Sequence, residues 1–121
     1  MNRKILIADD DSDILKFIQI NLEKNEYDVV TASDGYEVID KLASEKPDLI
    51  LLDINMPKMT GLEILSSIKE NPVTRDIPVI MVTAESEGTV FEQAVERQAD
   101  GYIVKPFKID YLLDKIRHLL K

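Results

Sequence analysis

At 121 residues the chain is one domain of common size, long enough for a single two-sided sheet core and too short for a second folded unit. Apolar residues at 45% and charged residues at 31% exclude a disordered chain, and 15 basic against 23 acidic residues leave a net charge of −8, so no direct nucleic acid partner is expected. The absence of cysteine excludes disulfides and thiolate metal sites, the start Met-Asn-Arg-Lys-Ile has no secretory signal core, and no apolar run approaches the roughly 20 residues of a membrane span; the expected location is cytoplasmic, with no membrane contact.

In chain order the sequence reads as five strand–helix units. Lys4 to Ala8 is a strand, followed by a helix from about Ser12 to Lys24 with Leu15, Ile18 and Leu22 on one face. Tyr27 to Ala32 is the second strand. Ser33-Asp34-Gly35 opens a helix predicted to turn Val38, Ile39, Leu42 and Ala43 inward, with Pro47 as its limit. Leu49 to Asp53 is the third and most apolar strand, and the loop from Met56 leads to Thr60 and Glu63, a capping-box pair heading a helix that ends near Asn71-Pro72. Val79 to Thr83 is the fourth strand. A helix from about Glu87 to Gln98 turns at Asp100-Gly101 into the fifth strand, Tyr102 to Lys105, and Ile109 to Leu120 forms the last helix. Right-handed crossovers pack such a chain as a doubly wound α/β fold, a parallel sheet with helices on both faces.

Several apolar runs stop at a chemically capable residue. Lys-Ile-Leu-Ile-Ala runs into Asp9 and Asp10, Leu49-Ile-Leu-Leu into Asp53, Val79-Ile-Met-Val into Thr83, and Ile103-Val104 into Lys105. Parallel strands end on one edge, and ligands bind beyond that edge, so these side chains are expected to meet. Three clustered carboxylates raise one another's pKa unless a cation joins them. Oxygen-only ligands, with no nearby His or Cys, suit Mg²⁺ better than zinc. A divalent cation beside a carboxylate and a lysine is a phosphoryl-transfer arrangement, with Asp53 the candidate nucleophile, Asp9 and Asp10 the metal's holders, Lys105 neutralising charge, and Thr83 donating a hydrogen bond to the attached group. One carboxylate would suffice to cap the first helix, and Asp11 and Ser12 are better placed for that.

Asp9-Asp10, Asp53, Thr83 and Tyr102-x-x-Lys105-Pro106-Phe107 resemble, in order and spacing, the receiver domain of two-component response regulators, in a form similar to single-domain chemotaxis regulators. The resemblance covers almost the whole chain, 1–121, as one response regulatory domain. It implies a flavodoxin-like sheet of order 2-1-3-4-5 with five helices, and phosphorylation of Asp53 by a sensor histidine kinase, a phosphotransfer protein or a small phosphodonor. It further implies that Asp10 and Asp53 ligate Mg²⁺ by side chain, Asn55 through its backbone carbonyl and Asp9 mainly through water. Lys105 would contact Asp53 before phosphorylation and the phosphoryl oxygens afterwards, the Lys105–Pro106 bond would be cis, and Tyr102 would be a rotating switch residue. Lys108 departs from the small polar residue often found there in the family, which makes Asp110 the alternative cap of the last helix.

On this reading the chain is no enzyme toward an external substrate; it catalyses only its own phosphorylation and dephosphorylation. Its output is a changed surface of the fourth helix, fifth strand and fifth helix, as a monomer or a phosphorylation-dependent dimer. With the sequence ending at Lys121 after the last helix, the downstream effector is expected to be another protein or a domain not contained in it. Asn55 and Glu85, two residues beyond Asp53 and Thr83, are expected to govern water access, and His118 to serve a surface or helix-dipole role. Two rivals use the same features: a Mg²⁺-dependent phosphohydrolase with an aspartyl-phosphate intermediate, which normally has a second acid where Asn55 stands, and the receiver half of a truncated DNA-binding regulator.

Overall fold

A computed structural model describes residues 2–84 and 88–121. Ten elements alternate: β1 (Lys4–Ala8), α1 (Ser12–Lys24), β2 (Asp28–Ala32), α2 (Gly35–Glu45), β3 (Leu49–Leu52), α3 (Gly61–Glu70), β4 (Val79–Thr83), α4 (Gly88–Glu96), β5 (Gly101–Val104) and α5 (Ile109–Leu119). The strands form one parallel sheet in the order β2-β1-β3-β4-β5. Runs such as Leu49-Ile-Leu-Leu are apolar at every position because both sheet faces are covered. Successive side chains point to opposite faces. Ile5, Ile7, Leu49, Leu51, Ile80 and Val82 pack on one side with Ile18 and Leu22 of α1 and Leu112 and Ile116 of α5. Leu6, Ala8, Ile50, Leu52, Val79 and Met81 pack on the other with α2, α3 and Ala94 of α4.

Local chemistry accounts for the helix starts. Asp11 caps α1, accepting from the backbone N–H of Asp13 at 3.0 Å and of Ile14 at 3.4 Å. At α3 the capping box forms as the Thr60-x-x-Glu63 spacing predicts: Glu63 N–H donates to Thr60 Oγ1 and Thr60 N–H to Glu63 Oε1, each at 3.2 Å.

Two expectations are corrected. In α2 only Val38 and Leu42 are buried among the four residues predicted inward; Ile39 and Ala43 are exposed, because this helix rests on the sheet along a stripe one residue wide. The last helix takes Lys108 as its N-cap with no side-chain cap bond, and Asp110 lies inside the first turn, where its charge faces the positive helix end instead of capping it. The predicted start of the fourth helix at Glu87 lies outside the described residues, as does Glu85.

Candidate functional site

β1 and β3 are adjacent and in register, with Ala8 opposite Leu52, so the residues that follow each strand emerge side by side. Asp53 N–H donates to the Ala8 carbonyl at 3.0 Å, continuing the ladder one step past the strand, and Asp9 N–H does the same to Ala32 at 3.1 Å. On the other side, Lys105 N–H donates to the Thr83 carbonyl at 2.8 Å. The sheet edge thus brings Asp9, Asp53, Thr83 and Lys105 to its carboxyl end.

Burial divides the acids. Asp9 and Asp53 are buried, at 2% and 6% exposure, and Thr83 is fully buried, whereas Asp10 is exposed. One oxygen from each of Asp9, Asp10 and Asp53 can be chosen so that all three lie within 4.8 Å of one another. Lys105 Nζ bridges the buried pair, 2.6 Å from Asp9 Oδ2 and 3.3 Å from Asp53 Oδ2. Asp9 also accepts from Asp11 N–H at 2.9 Å, and Asp53 from Asn55 N–H at 3.4 Å. The following Lys105–Pro106 peptide is cis. Tyr102, half-buried on β5, meets Phe91 of α4 edge to face with centroids 5.2 Å apart.

The electrostatics follow from this packing. Burial, and then the neighbouring Asp9 charge, push the Asp53 carboxyl above its ordinary value, against the opposing pull of Lys105. For Lys105 burial disfavours the ammonium, but the hydrogen bond to Asp9 and the charges of Asp53 and Asp9 outweigh it, so its pKa is raised. One lysine therefore does not neutralise the cluster. The donor set fits a hard divalent cation: carboxylate oxygens only, converging within a few ångströms, with Asp10 open to solvent.

One structural support was not read from the sequence. A Cβ on Gly61 would lie 2.7 Å from the Ile54 Cα and closer still to the Asp53 carbonyl oxygen, so the start of α3 presses backbone to backbone against the segment carrying Asp53. The signal was a glycine immediately after a strong N-cap, where glycine is otherwise a poor helix former.

The family profile of the response regulator receiver domain matches residues 5–117. The chain belongs to the response regulator receiver domain family. It is 39% identical over 121 residues to the alkaline phosphatase synthesis transcriptional regulatory protein PhoP of Bacillus subtilis, covering all of this chain and 50% of that protein. It is 42% identical over 118 residues to the response regulator ArlR of Staphylococcus saprophyticus, covering 98% of this chain and 52% of the relative. This receiver domain thus spans about half the length of these curated relatives. Its structure is similar to that of the chemotaxis response regulator CheY4 of Vibrio cholerae, with a TM-score of 0.92, 31% identity and coverage of 99% and 100% of the two chains. A CheY-like receiver domain protein from Methanospirillum hungatei is similar at a TM-score of 0.93 and 33% identity, covering 99% of this chain and 94% of the other. Among the described residues, no helix of the receiver domain is long and apolar enough to cross a membrane.

Proposed function

We propose that this chain, 1–121, acts as one receiver domain that takes a phosphoryl group onto Asp53 from a sensor histidine kinase or phosphotransfer protein, and loses it to water. What carries this reading is the buried pair Asp9 and Asp53 sharing Lys105 Nζ, with Asp10 open to solvent beside them. Asp10 and Asp53 by side chain, Asn55 by its backbone carbonyl and Asp9 through water would hold Mg²⁺. When bound, the cation supplies neutralising charge to the phosphoryl oxygens.

An oxygen of Asp53 attacks the phosphorus in line, an O–P bond forms, and the bond to the donor nitrogen breaks with its electron pair leaving on the donor imidazole. Lys105 turns from the carboxylates to a phosphoryl oxygen as charge moves there. Hydrolysis reverses the outcome: water attacks phosphorus, the acyl-phosphate O–P bond breaks, and the Asp53 carboxylate returns. Thr83 keeps its proton and donates a hydrogen bond from its hydroxyl to the attached group, and Tyr102 turns into the space vacated. The readout is the surface of α4, β5 and α5, where Tyr102, Val104, Phe107 and Tyr111 border a hollow of about 490 Å³. Its reader is a downstream effector protein or domain, or a second copy in a phosphorylation-dependent dimer. On this reading the chain turns over no external substrate and works in the cytoplasm.

Acetyl phosphate with Mg²⁺ tests the reading. One phosphoryl mass should be added and released by mild base, and Asp53→Asn should abolish it; full labelling of that variant would move the acceptor to another carboxylate. A second setting is favoured by the one relative above that is named as a transcriptional regulatory protein, PhoP, of which this chain covers 50%. There the same switch would act on an attached unit, and the length of the complete reading frame decides between an attached and a separate effector.

A further inference from the structure

Asn55 sits in the segment between β3 and α3, and that segment is fastened to the head of α2, 20 residues away in sequence. Gly35 N–H donates to the Pro57 carbonyl at 3.5 Å. A Cβ on Gly35 would come 2.6 Å from Met59 Cβ, so the two segments touch with no room between them. Lys58 Nζ lies 3.3 Å from Asp34 Oδ2, with the Tyr36 ring below it at 5.9 Å from the centroid. The other oxygen of Asp34 accepts from Glu37 N–H at 2.9 Å and caps α2, which fixes the carboxylate that Lys58 meets. Lys58 reaches this partner from a backbone φ of 72°, a conformation that disfavours every residue with a Cβ. What distinguishes Lys58 from Lys46, the other lysine at positive φ, is that its ammonium meets both a carboxylate and an aromatic ring.

We infer that Asp34 and Lys58 are positioning residues for the Asp53 site: their ion pair holds the 55–59 segment at the distance from Asp53 at which the Asn55 carbonyl can complete the divalent-cation site. The inference rests on the metal and phosphoacceptor reading given above. Neither residue touches the reacting group; they act through the backbone that joins Lys58 to Asn55.

The test is a Mg²⁺ titration followed by NMR for the wild type, Asp34→Asn, Lys58→Gln, the double variant and Lys58→Gly, each with a thermal melt. Asn retains the helix cap, so Asp34→Asn removes only the charge. Each single variant should bind Mg²⁺ about two- to fivefold more weakly, the scale an exposed ion pair supports. The double variant should be no weaker than either single one, as expected for one shared interaction. Lys58→Gly should lose the same affinity while melting at or above the wild type, because glycine relaxes the left-handed backbone. A purely structural role would instead move affinity and melting point together. Unchanged affinity in the single variants, additive losses in the double variant, or full affinity in Lys58→Gly would overturn the inference while leaving the Asp53 site intact. A wild type that shows no Mg²⁺-dependent shifts near Asp53 would instead remove the metal reading itself, and the positioning role with it.

Discussion

On the proposed reading two demands conflict at Asp53, since a nucleophile must be ionised and a buried carboxylate beside another resists ionisation. Its pKa in the folded chain is raised by burial and by Asp9, above an unfolded value near 3.9. A raised folded pKa contributes stability that is complete below the unfolded value and is lost as pH rises through the folded one. At neutral pH, well above the unfolded value, the Asp53 carboxyl therefore destabilises the metal-free protein. Lys105 titrates far above this range, its contribution being lost only as pH climbs past its own raised value, so it does not obscure the effect. Without metal at pH 7, Asp53→Asn should melt higher than the wild type, each 1 kcal/mol gained being about 3–6 °C in a domain of this size. That advantage should vanish below about pH 4. Melts across pH in the presence of a chelator check it, and an advantage independent of pH would assign the gain to something other than charge. Thr83 makes the complementary case. It is fully buried, so Thr83→Ala should cost about 1–2 kcal/mol yet still accept phosphate, because Asp53, Lys105 and the acids remain. What it should lose is the remote response: phosphorylation-induced NMR shifts should shrink around Tyr102 and α4 and persist beside Asp53.

Elements position these residues through contacts the sequence discloses unevenly. The apolar runs and the residues that end them were legible because a parallel strand buried on both faces leaves little other reading, and the helix caps Asp11 and Thr60 because a cap is a local bond. The width of a buried helix face is not local, since it depends on how closely the helix rides on the sheet; Ile39 and Ala43 fit the period and still face outward. Fastenings between loops and helix starts were equally hidden, the long-range pair of Lys58 with Asp34, 24 positions apart, and the nearer approach of Gly61 to Asp53. Gly61 yields a direct prediction. A methyl there meets main chain, which cannot rotate away as a side chain could. Gly61→Ala should lose about 1–3 kcal/mol in urea unfolding, the range for overpacking. Because the relief must come from the Asp53–Ile54 segment, labelling by acetyl phosphate should fall more than stability does. Wild-type labelling in a destabilised Gly61→Ala would show that α3 moves instead, and that the site does not feel it.

At the scale of the whole molecule, the doubly wound sheet gathers its acids at one edge, and the −8 net charge adds to their mutual repulsion. A divalent cation bound there would link the site to global stability, because the unfolded chain separates Asp53 from the adjacent Asp9 and Asp10 and leaves no three-carboxylate site to bind it. Binding only the folded state stabilises by mass action, about 1.4 kcal/mol at tenfold the dissociation constant. The melting midpoint should therefore climb with Mg²⁺ and continue to rise logarithmically past saturation. Asp10 gives the cleanest control, being the exposed member of the cluster. Asp10→Asn leaves the core untouched, so it should abolish the Mg²⁺ dependence while the metal-free midpoint stays level or rises as repulsion is relieved. A midpoint indifferent to Mg²⁺ in the wild type would mean that Lys105 alone balances the buried pair and that the three carboxylates are not a metal site. A Mg²⁺ response that survives in Asp10→Asn would put the ion at another acidic surface.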